Sequence, residues 1–306
     1  MSLLADNSHI CIVGCGLIGG SFALALRRAG FKGRLTAFDA EPQTRLAVER
    51  GVVDSREDCF DEGRVCGADL IFLAAPIGGI IDFLRRRASL IRPGAIVTDA
   101  GSTKSEICRV AIDALPVGVD FIGGHPMAGS EHSGVEYARA DLFDRATWAI
   151  IASDSTLRLA SLVELVETIG ARPLQMSSDE HDRAVGLVSH LPQILASTLA
   201  SLLIDPFPSP GSDATSSDID LARKMAAGGW RDMTRLAGSS FAIWRDILIT
   251  NHQNLNESLC RLLIQLQQLQ EALERKDYLA IRDLFENANR SVNLLRDVHY
   301  RRFDKL

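Results

Sequence analysis

The sequence predicts an α/β chain in which a doubly wound, mainly parallel β-sheet is followed by an all-helical domain. Three observations carry this reading. Short apolar, β-branched runs alternate with helix-patterned stretches from His9 to Met176, as βαβ units around a parallel sheet require. A glycine-rich turn joins the first such run to the first helical stretch. After Met176 the strand patterning stops, and apolar residues recur three or four apart, as on helix faces.

His9 to Val13 reads as a strand, followed by Gly14-Cys15-Gly16-Leu17-Ile18-Gly19-Gly20 and by helical spacing from Ser21 to Ala29. Gly14 permits the tight turn, Gly16 lets a pyrophosphate approach the backbone, and Gly19 lets the helix pack closely on the strand. Leu17 and Ile18 share this turn, where the helix N-terminus offers free N–H groups to phosphate. A second strand, Arg34 to Phe38, ends at Asp39. An acid about 20 residues after the last glycine accepts hydrogen bonds from a ribose 2'-hydroxyl and repels a 2'-phosphate. Together these features predict a Rossmann-type dinucleotide site with NAD favoured over NADP, the nearby Arg45 being the feature that speaks for NADP.

Further strands are expected at Ala68 to Ala74, Ala95 to Asp99, Phe121 to Gly123 and Thr147 to Ala152, with a helix from Ser105 to Leu115. Ala74-Ala75-Pro76 and Gly101-Ser102 follow two of these strands, so Ala75, Pro76 and Ser102 are expected at the carboxyl edge, lining the cofactor cleft. A helix, Thr156 to Ile169, and a strand, Arg172 to Met176, complete a dinucleotide-binding domain over residues 1–177.

Ser177-Ser178-Asp179-Glu180 is a capping box, and it opens a helical run from His181 to Leu203 and with it a helical domain over 178–306. Pro192 removes a helix hydrogen bond and clashes one turn back, which predicts a kink turning His190 toward a cleft. The segment Asp205 to Asp218 reads as an exposed loop. Leu255, Leu259, Leu262, Leu266, Leu269 and Leu273 then form an apolar stripe along one helix. A stripe that long needs a partner, and a homodimer through the helical domain is the expected solution.

Composition narrows the function. The 306 residues are 46% hydrophobic and 24% charged, with no apolar run near the roughly 18 residues of a membrane span. The N-terminus lacks the pattern of a secretory signal, so a cytoplasmic location is expected. A formal charge of -6 argues against nucleic acid as a partner, so an anionic ligand must be held by a few local cations. The cysteines, Cys11, Cys15, Cys59, Cys66, Cys108 and Cys260, show no metal-ligand spacing and read as buried reduced thiols.

The stretch Gly123-Gly124-His125-Pro126-Met127-Ala128-Gly129-Ser130-Glu131 follows a strand and is full of small residues. It reads as a loop at the carboxyl edge of the sheet, where a histidine can reach the nicotinamide region and act as a base. On this loop alone, a solvated histidine is the simpler reading.

Five motifs in one order make the resemblance specific: the glycine turn through Ser21, Asp99-x-Gly101-Ser102-x-Lys104, His125 to Glu131, Ser189-His190-Leu191-Pro192-Gln193, and Gly228-Gly229-Trp230-Arg231-Asp232-x-Thr234-Arg235. From about residue 9 to beyond Trp244 the chain resembles prephenate and arogenate (cyclohexadienyl) dehydrogenases, in their stand-alone form. The resemblance implies NAD-dependent oxidative decarboxylation of a cyclohexadienyl acid in tyrosine biosynthesis, of prephenate to 4-hydroxyphenylpyruvate or of arogenate to tyrosine, without a metal. It implies that His125 bonds the ring hydroxyl and helps accept its proton, and that Arg235 binds a substrate carboxylate, for which a guanidinium fork is suited. By the same resemblance, Ser102 lies between His125 and the nicotinamide and His190 contacts the substrate. Asp232 and Trp244 help to build the pocket, and Glu131 pairs with a cation or gates entry, a plain surface role being the alternative. The remaining histidines, His181 among them, read as solvated or structural. A β-hydroxyacid dehydrogenase is the nearest rival, but the helical-domain lysine followed four residues later by asparagine is missing: Lys224 is followed by Gly228 and Lys276 by Ala280.

Overall fold

The computed structural model describes residues 3–130, 132–152, 158–203 and 216–299. In chain order the elements are β1 (His9–Val13), α1 (Leu17–Arg28), β2 (Arg34–Phe38), α2 (Glu41–Glu49), β3 (Ser55–Arg56), β4 (Leu70–Leu73), α3 (Ile77–Arg87), β5 (Ile96–Asp99), α4 (Ser105–Ala114), β6 (Asp120–Pro126), β7 (Thr147–Ile151), α5 (Leu159–Thr168) and β8 (Arg172–Gln175). Helices follow: α6 (Ser178–Val185), α7 (Leu191–Ser201), α8 (Ser216–Met225), α9 (Gly228–Thr234), α10 (Phe241–Thr250), α11 (His252–Arg275) and α12 (Tyr278–His299).

The eight strands form one sheet in the order β3-β2-β1-β4-β5-β6-β7-β8. Pairing is parallel except between β6 and β7. The chain winds outward from β1 through β2 to β3, then returns to β4 beside β1, so the strand order reverses between β1 and β4. Ligands of such sheets bind at that reversal, outside the carboxyl ends of the strands. Side chains alternate across the sheet. Ile10 and Ile12 of β1 enter one core with Phe22, Leu26, Phe72 and Trp148, and Cys11 and Val13 enter the other with Ile71, Leu73, Ile80 and Phe83. Burial on both faces explains why these strands read as unbroken apolar runs.

Several expectations need correction. Helix α1 begins at Leu17 rather than Ser21, because the glycine turn is itself the first helical turn. Strand β6 runs on to Pro126, and His125 pairs with Ala149 of β7, so the residue expected on a loop sits on a strand. Strand β3 is a two-residue edge element, too short to show periodicity. The long helix opens at Ser178 with both capping-box hydrogen bonds formed. It is broken by a π-helical turn, Gly186–His190, just ahead of Pro192. Of the expected loop 205–218, residues 205–215 lie outside the described residues, and α8 already begins at Ser216. Cys108 is partly exposed and Cys260 exposed; the other four cysteines are buried. The run Ser178–Ser201 has a mean hydropathy of 1.2 and the length of a membrane span. It buries His181, Asp182, His190 and Gln193 alongside Val185, Leu191 and Ala196, which is the pattern of a helix packed within a protein.

By compactness the chain forms two units, Met1–Leu255 and Asn256–Leu306; the expected boundary at 177/178 falls inside the first. Helices α6 and α10 reach the sheet unit through α4 and α3. Two specific ties fix α10: Gly78 N–H donates to Asp246 at 2.8 Å, and the hydroxyls of Thr103 and Thr250 meet at 2.7 Å.

Candidate active site

The cofactor cleft is built by the turn after β1 and the loop after β4. Gly14 has φ +91°, and a Cβ there would lie 2.7 Å from the Ala75 backbone nitrogen; a Cβ at Gly19 would lie 2.1 Å from the Gly14 carbonyl. Both glycines are therefore demanded by close backbone approach. At Gly16, by contrast, a Cβ would meet nothing within 4 Å, and α1 has no side-chain cap. An uncapped helix N-terminus over open space fits a pyrophosphate. Asp39 accepts hydrogen bonds from Cys15 N–H at 2.8 Å and Ala40 N–H at 2.7 Å, and each oxygen keeps a lone pair for a ribose hydroxyl. It lines a cavity of about 420 Å³ together with Gly14, Ala75 and Arg87. Arg45 lies outside that lining and is 3.7 Å from Glu41. Pro76 caps the start of α3 and is exposed.

A second cavity, about 500 Å³, lies at the carboxyl edge of the sheet under the helices. Ser102, His125, His190, Arg235 and Trp244 all line it. Arg235 reaches it because Gln193, on α7, donates to the Leu236 carbonyl at 2.9 Å, anchoring the turn after α9. Among the described residues the Arg235 side chain is exposed and makes no ion pair, so its guanidinium is available to a carboxylate. His190 stands edge-on to Trp244, with ring centroids 5.7 Å apart. Its Nδ1 meets the amide nitrogen of Asn251 at 3.1 Å, which leaves Nε2–H to donate into the cavity. Asp232 is exposed on α9 and outside the lining, and Glu131 lies outside the described residues.

A buried polar network underlies His125. Lys104 and Asp99, both 0% exposed, form an ion pair. Lys104 Nζ also donates to the Gly124 carbonyl at 2.6 Å, and Asp99 accepts from Gly124 N–H at 3.0 Å. The backbone beside His125 is thus held on both its polar groups. His125 Nδ1 lies 2.8 Å from Nε2 of His181, whose Nδ1 lies 2.8 Å from Asp182. Asp182 in turn accepts from the N–H groups of Lys104 at 2.7 Å and Ser105 at 2.9 Å, the start of α4.

Electrostatics follow from burial and neighbours. Burial, reinforced by His181, Lys104 and His190, holds the His125 imidazole well below the usual histidine range, so it stands neutral with a lone pair at neutral pH. Burial pushes His190 down to about 4, against the opposing pull of Asp182. Burial works to raise Asp182, but hydrogen bonds from His181, Ser105 and Lys104 outweigh it and keep the carboxyl below its ordinary value. The site therefore combines a neutral base, a neutral donor and a free guanidinium.

Sequence reasoning missed His181, Asp182, Asn251, Gln193 and the Asp99–Lys104 pair as parts of this site, although Asp99, Lys104 and Gln193 lay inside its motifs. For Asp99 and Gln193 the signal was a charged or amide side chain beside an apolar run; His181 and Asp182 stand in the polar stretch Ser177 to Arg183, where nothing local marks them. Tertiary contact also brings Cys11, Glu57 and Cys66 together, their ligand atoms within 4.8 Å of one another, where sequence spacing showed no cluster. Glu57 there already accepts from Thr36 at 3.2 Å.

Residues 22–175 match the family described as prephenate dehydrogenase, nucleotide-binding domain, and residues 177–287 match prephenate dehydrogenase, dimerization domain. The prephenate dehydrogenase of Lactococcus lactis is 35% identical over 92% of this chain and 75% of its own length. Among solved structures, prephenate dehydrogenase from Aquifex aeolicus in complex with hydroxyphenyl propionate and NAD+ is 30% identical with a TM-score of 0.83, covering 94% of this chain and 98% of that one. Arogenate dehydrogenase from Synechocystis is 29% identical with a TM-score of 0.79, covering 94% and 99%. By these matches this chain belongs to the prephenate dehydrogenase family of NAD-dependent dehydrogenases.

Proposed function

We propose that this chain oxidatively decarboxylates prephenate to 4-hydroxyphenylpyruvate in tyrosine biosynthesis. The carrying observation is that one cavity beside the cofactor cleft holds a neutral histidine and an arginine with no ion-pair partner among the described residues. Bound NAD supplies the hydride acceptor. Gly14, Gly16, the N–H groups of Leu17, Ile18 and Gly19, Asp39 and Ala75 would hold it.

His125 Nε2 takes the ring hydroxyl proton as hydride leaves the same carbon, and returns it to the phenol oxygen once the ring carboxylate has departed as CO2. The proton is borrowed, so no net base is consumed. Arg235 grips a substrate carboxylate, His190 Nε2–H donates to the substrate, Trp244 walls the ring, and Ser102 bridges toward the nicotinamide. Among the described residues lining the cavity there is no carboxylate, which favours the keto acid over the cationic amine of arogenate.

The test is nicotinamide reduction with prephenate and arogenate in turn, each with NAD and NADP. Faster reduction of NAD by prephenate is expected; reduction by neither acid overturns the assignment, and a clear preference for arogenate overturns the choice of substrate.

The same reading makes the protein a homodimer through its C-terminal helices. In support, Ile264, Leu266 and Leu273 of α11 and Tyr278, Leu279 and Phe285 of α12 are exposed in the chain alone, and exposed apolar residues grouped in this way mark interaction surfaces. Sedimentation giving a monomer at all concentrations would remove that reading.

A further inference from the structure

We infer that His181 and Asp182 are a positioning pair that holds His125 in the tautomer protonated on Nδ1, so that Nε2 carries the lone pair facing the substrate. The inference deepens the proposed role of His125 as base and rests on it.

The assignment follows from donor counting. An ionised carboxylate only accepts, so at 2.8 Å from Asp182 the Nδ1 of His181 must donate. A neutral His181 then has only an acceptor left at Nε2. That atom lies 2.8 Å from His125 Nδ1, which must therefore be the donor. His125 Nε2 is left without a proton, and it is the ring nitrogen for which no protein partner exists among the described residues. The hydrogen bond made by one ring nitrogen sets the state of the other, and without His181 either nitrogen of His125 is free to carry the proton.

The pair is fixed from two elements outside α6. Asp182 is held by two N–H groups at the start of α4, where the helix dipole favours a negative charge. Its backbone carbonyl accepts from Asn251 at 2.8 Å. His181 and Asp182 are 2% and 1% exposed, so water does not compete for these bonds. When the substrate O–H bond breaks and the His125 Nε2–H bond forms, the new imidazolium sits near Lys104, which opposes it. Transfer of the Nδ1 proton to His181 Nε2 moves that charge next to the Asp182 carboxylate and leaves His125 neutral; the reverse transfer, with return of the Nε2 proton to the phenol oxygen, restores both rings. Among the described residues the charged and titratable groups facing His125 are His181 and Asp182 from α6, Lys104 and its partner Asp99 from the β5–α4 turn, His190, and Arg235 across the cavity.

The first test uses the whole protein without substrate: nitrogen NMR of 15N-histidine-labelled enzyme, the His125 signals identified by their loss in His125→Asn. A protonated Nδ1 with an unprotonated Nε2 is expected, and a shift of the proton toward Nε2 in His181→Leu. A proton on Nε2 in the unmodified enzyme overturns the inference, whatever the kinetics show. The second test is kinetic. His181→Leu should lower kcat about 100-fold with both KM values nearly unchanged, and His181→Gln, whose amide oxygen can still accept from Nδ1–H, should recover about tenfold of that loss. Equal losses in the two variants, or a loss confined to KM, overturn a positioning role. If instead His125→Asn keeps full turnover, the base reading itself fails, and the NMR result still reports on the tautomer.

Discussion

Replacing Lys104 by methionine keeps the length of the buried stem and removes only the ammonium. Lys104 and Asp99 are both fully buried, and taking one member from a buried pair leaves the other charge uncompensated, typically at a cost of about 3–5 kcal/mol. Asp99 would keep its hydrogen bonds from Gly101 N–H at 2.8 Å and Gly124 N–H at 3.0 Å, which places the expected loss at the lower end, about 3 kcal/mol. The Gly124 carbonyl, now accepting from Nζ at 2.6 Å, would lose its partner as well. In a unit of this size each kcal/mol moves the midpoint by about 2–4 °C, so Lys104→Met should melt about 6–12 °C lower. The assay is thermal unfolding by circular dichroism at one fixed protein concentration, since association also shifts the midpoint. Asp99→Asn combined with Lys104→Met should regain at least half of the loss, because the stranded charge is gone. A fall of less than about 2 °C in the single variant, or a double variant worse than the sum of its parts, would refute this account of the network.

Arg235→Ala should raise KM for the acid about tenfold or more with little change in kcat, because a cation on a carboxylate that leaves as CO2 stabilises the ground state at least as much as the transition state. His125→Asn should do the opposite, lowering kcat by roughly 100-fold or more at similar KM; steady-state kinetics on the two variants separates the roles. Asp39→Ala should raise KM for NAD and narrow the preference over NADP, and an unchanged ratio of the two kcat/KM values would remove Asp39 from the discrimination. Because burial pushes His190 down to about 4, the unfolded chain binds the extra proton between the ordinary histidine value and that point, so stability should fall as pH is lowered through this window. His190→Gln should flatten that part of a urea-midpoint profile.

The sheet half was readable because its signals are local. The Gly14 turn, the run from Arg34 into Asp39 and the Ser177 capping box each depend on residues within one or two turns of one another, and all three stand as expected. The errors are also local in origin. His125 was expected on a loop because glycines and a proline surround it, yet β7 pairs with β6 antiparallel and draws it into the sheet. Nothing between residues 127 and 146 announces that reversal.

The amino-acid order by itself determined where strands and helices arise, where the dinucleotide turn lies, and which histidine and arginine were worth testing, because periodicity, caps and glycine geometry act over a few residues. Only the tertiary structure decided what stands behind His125. His181 lies 56 positions away, and Asp182 meets the N–H of Lys104 across 78. Such partners are chosen by how α6 docks against α4 at the sheet edge. That docking is set by apolar burial summed over whole faces, and no single motif in the chain encodes it.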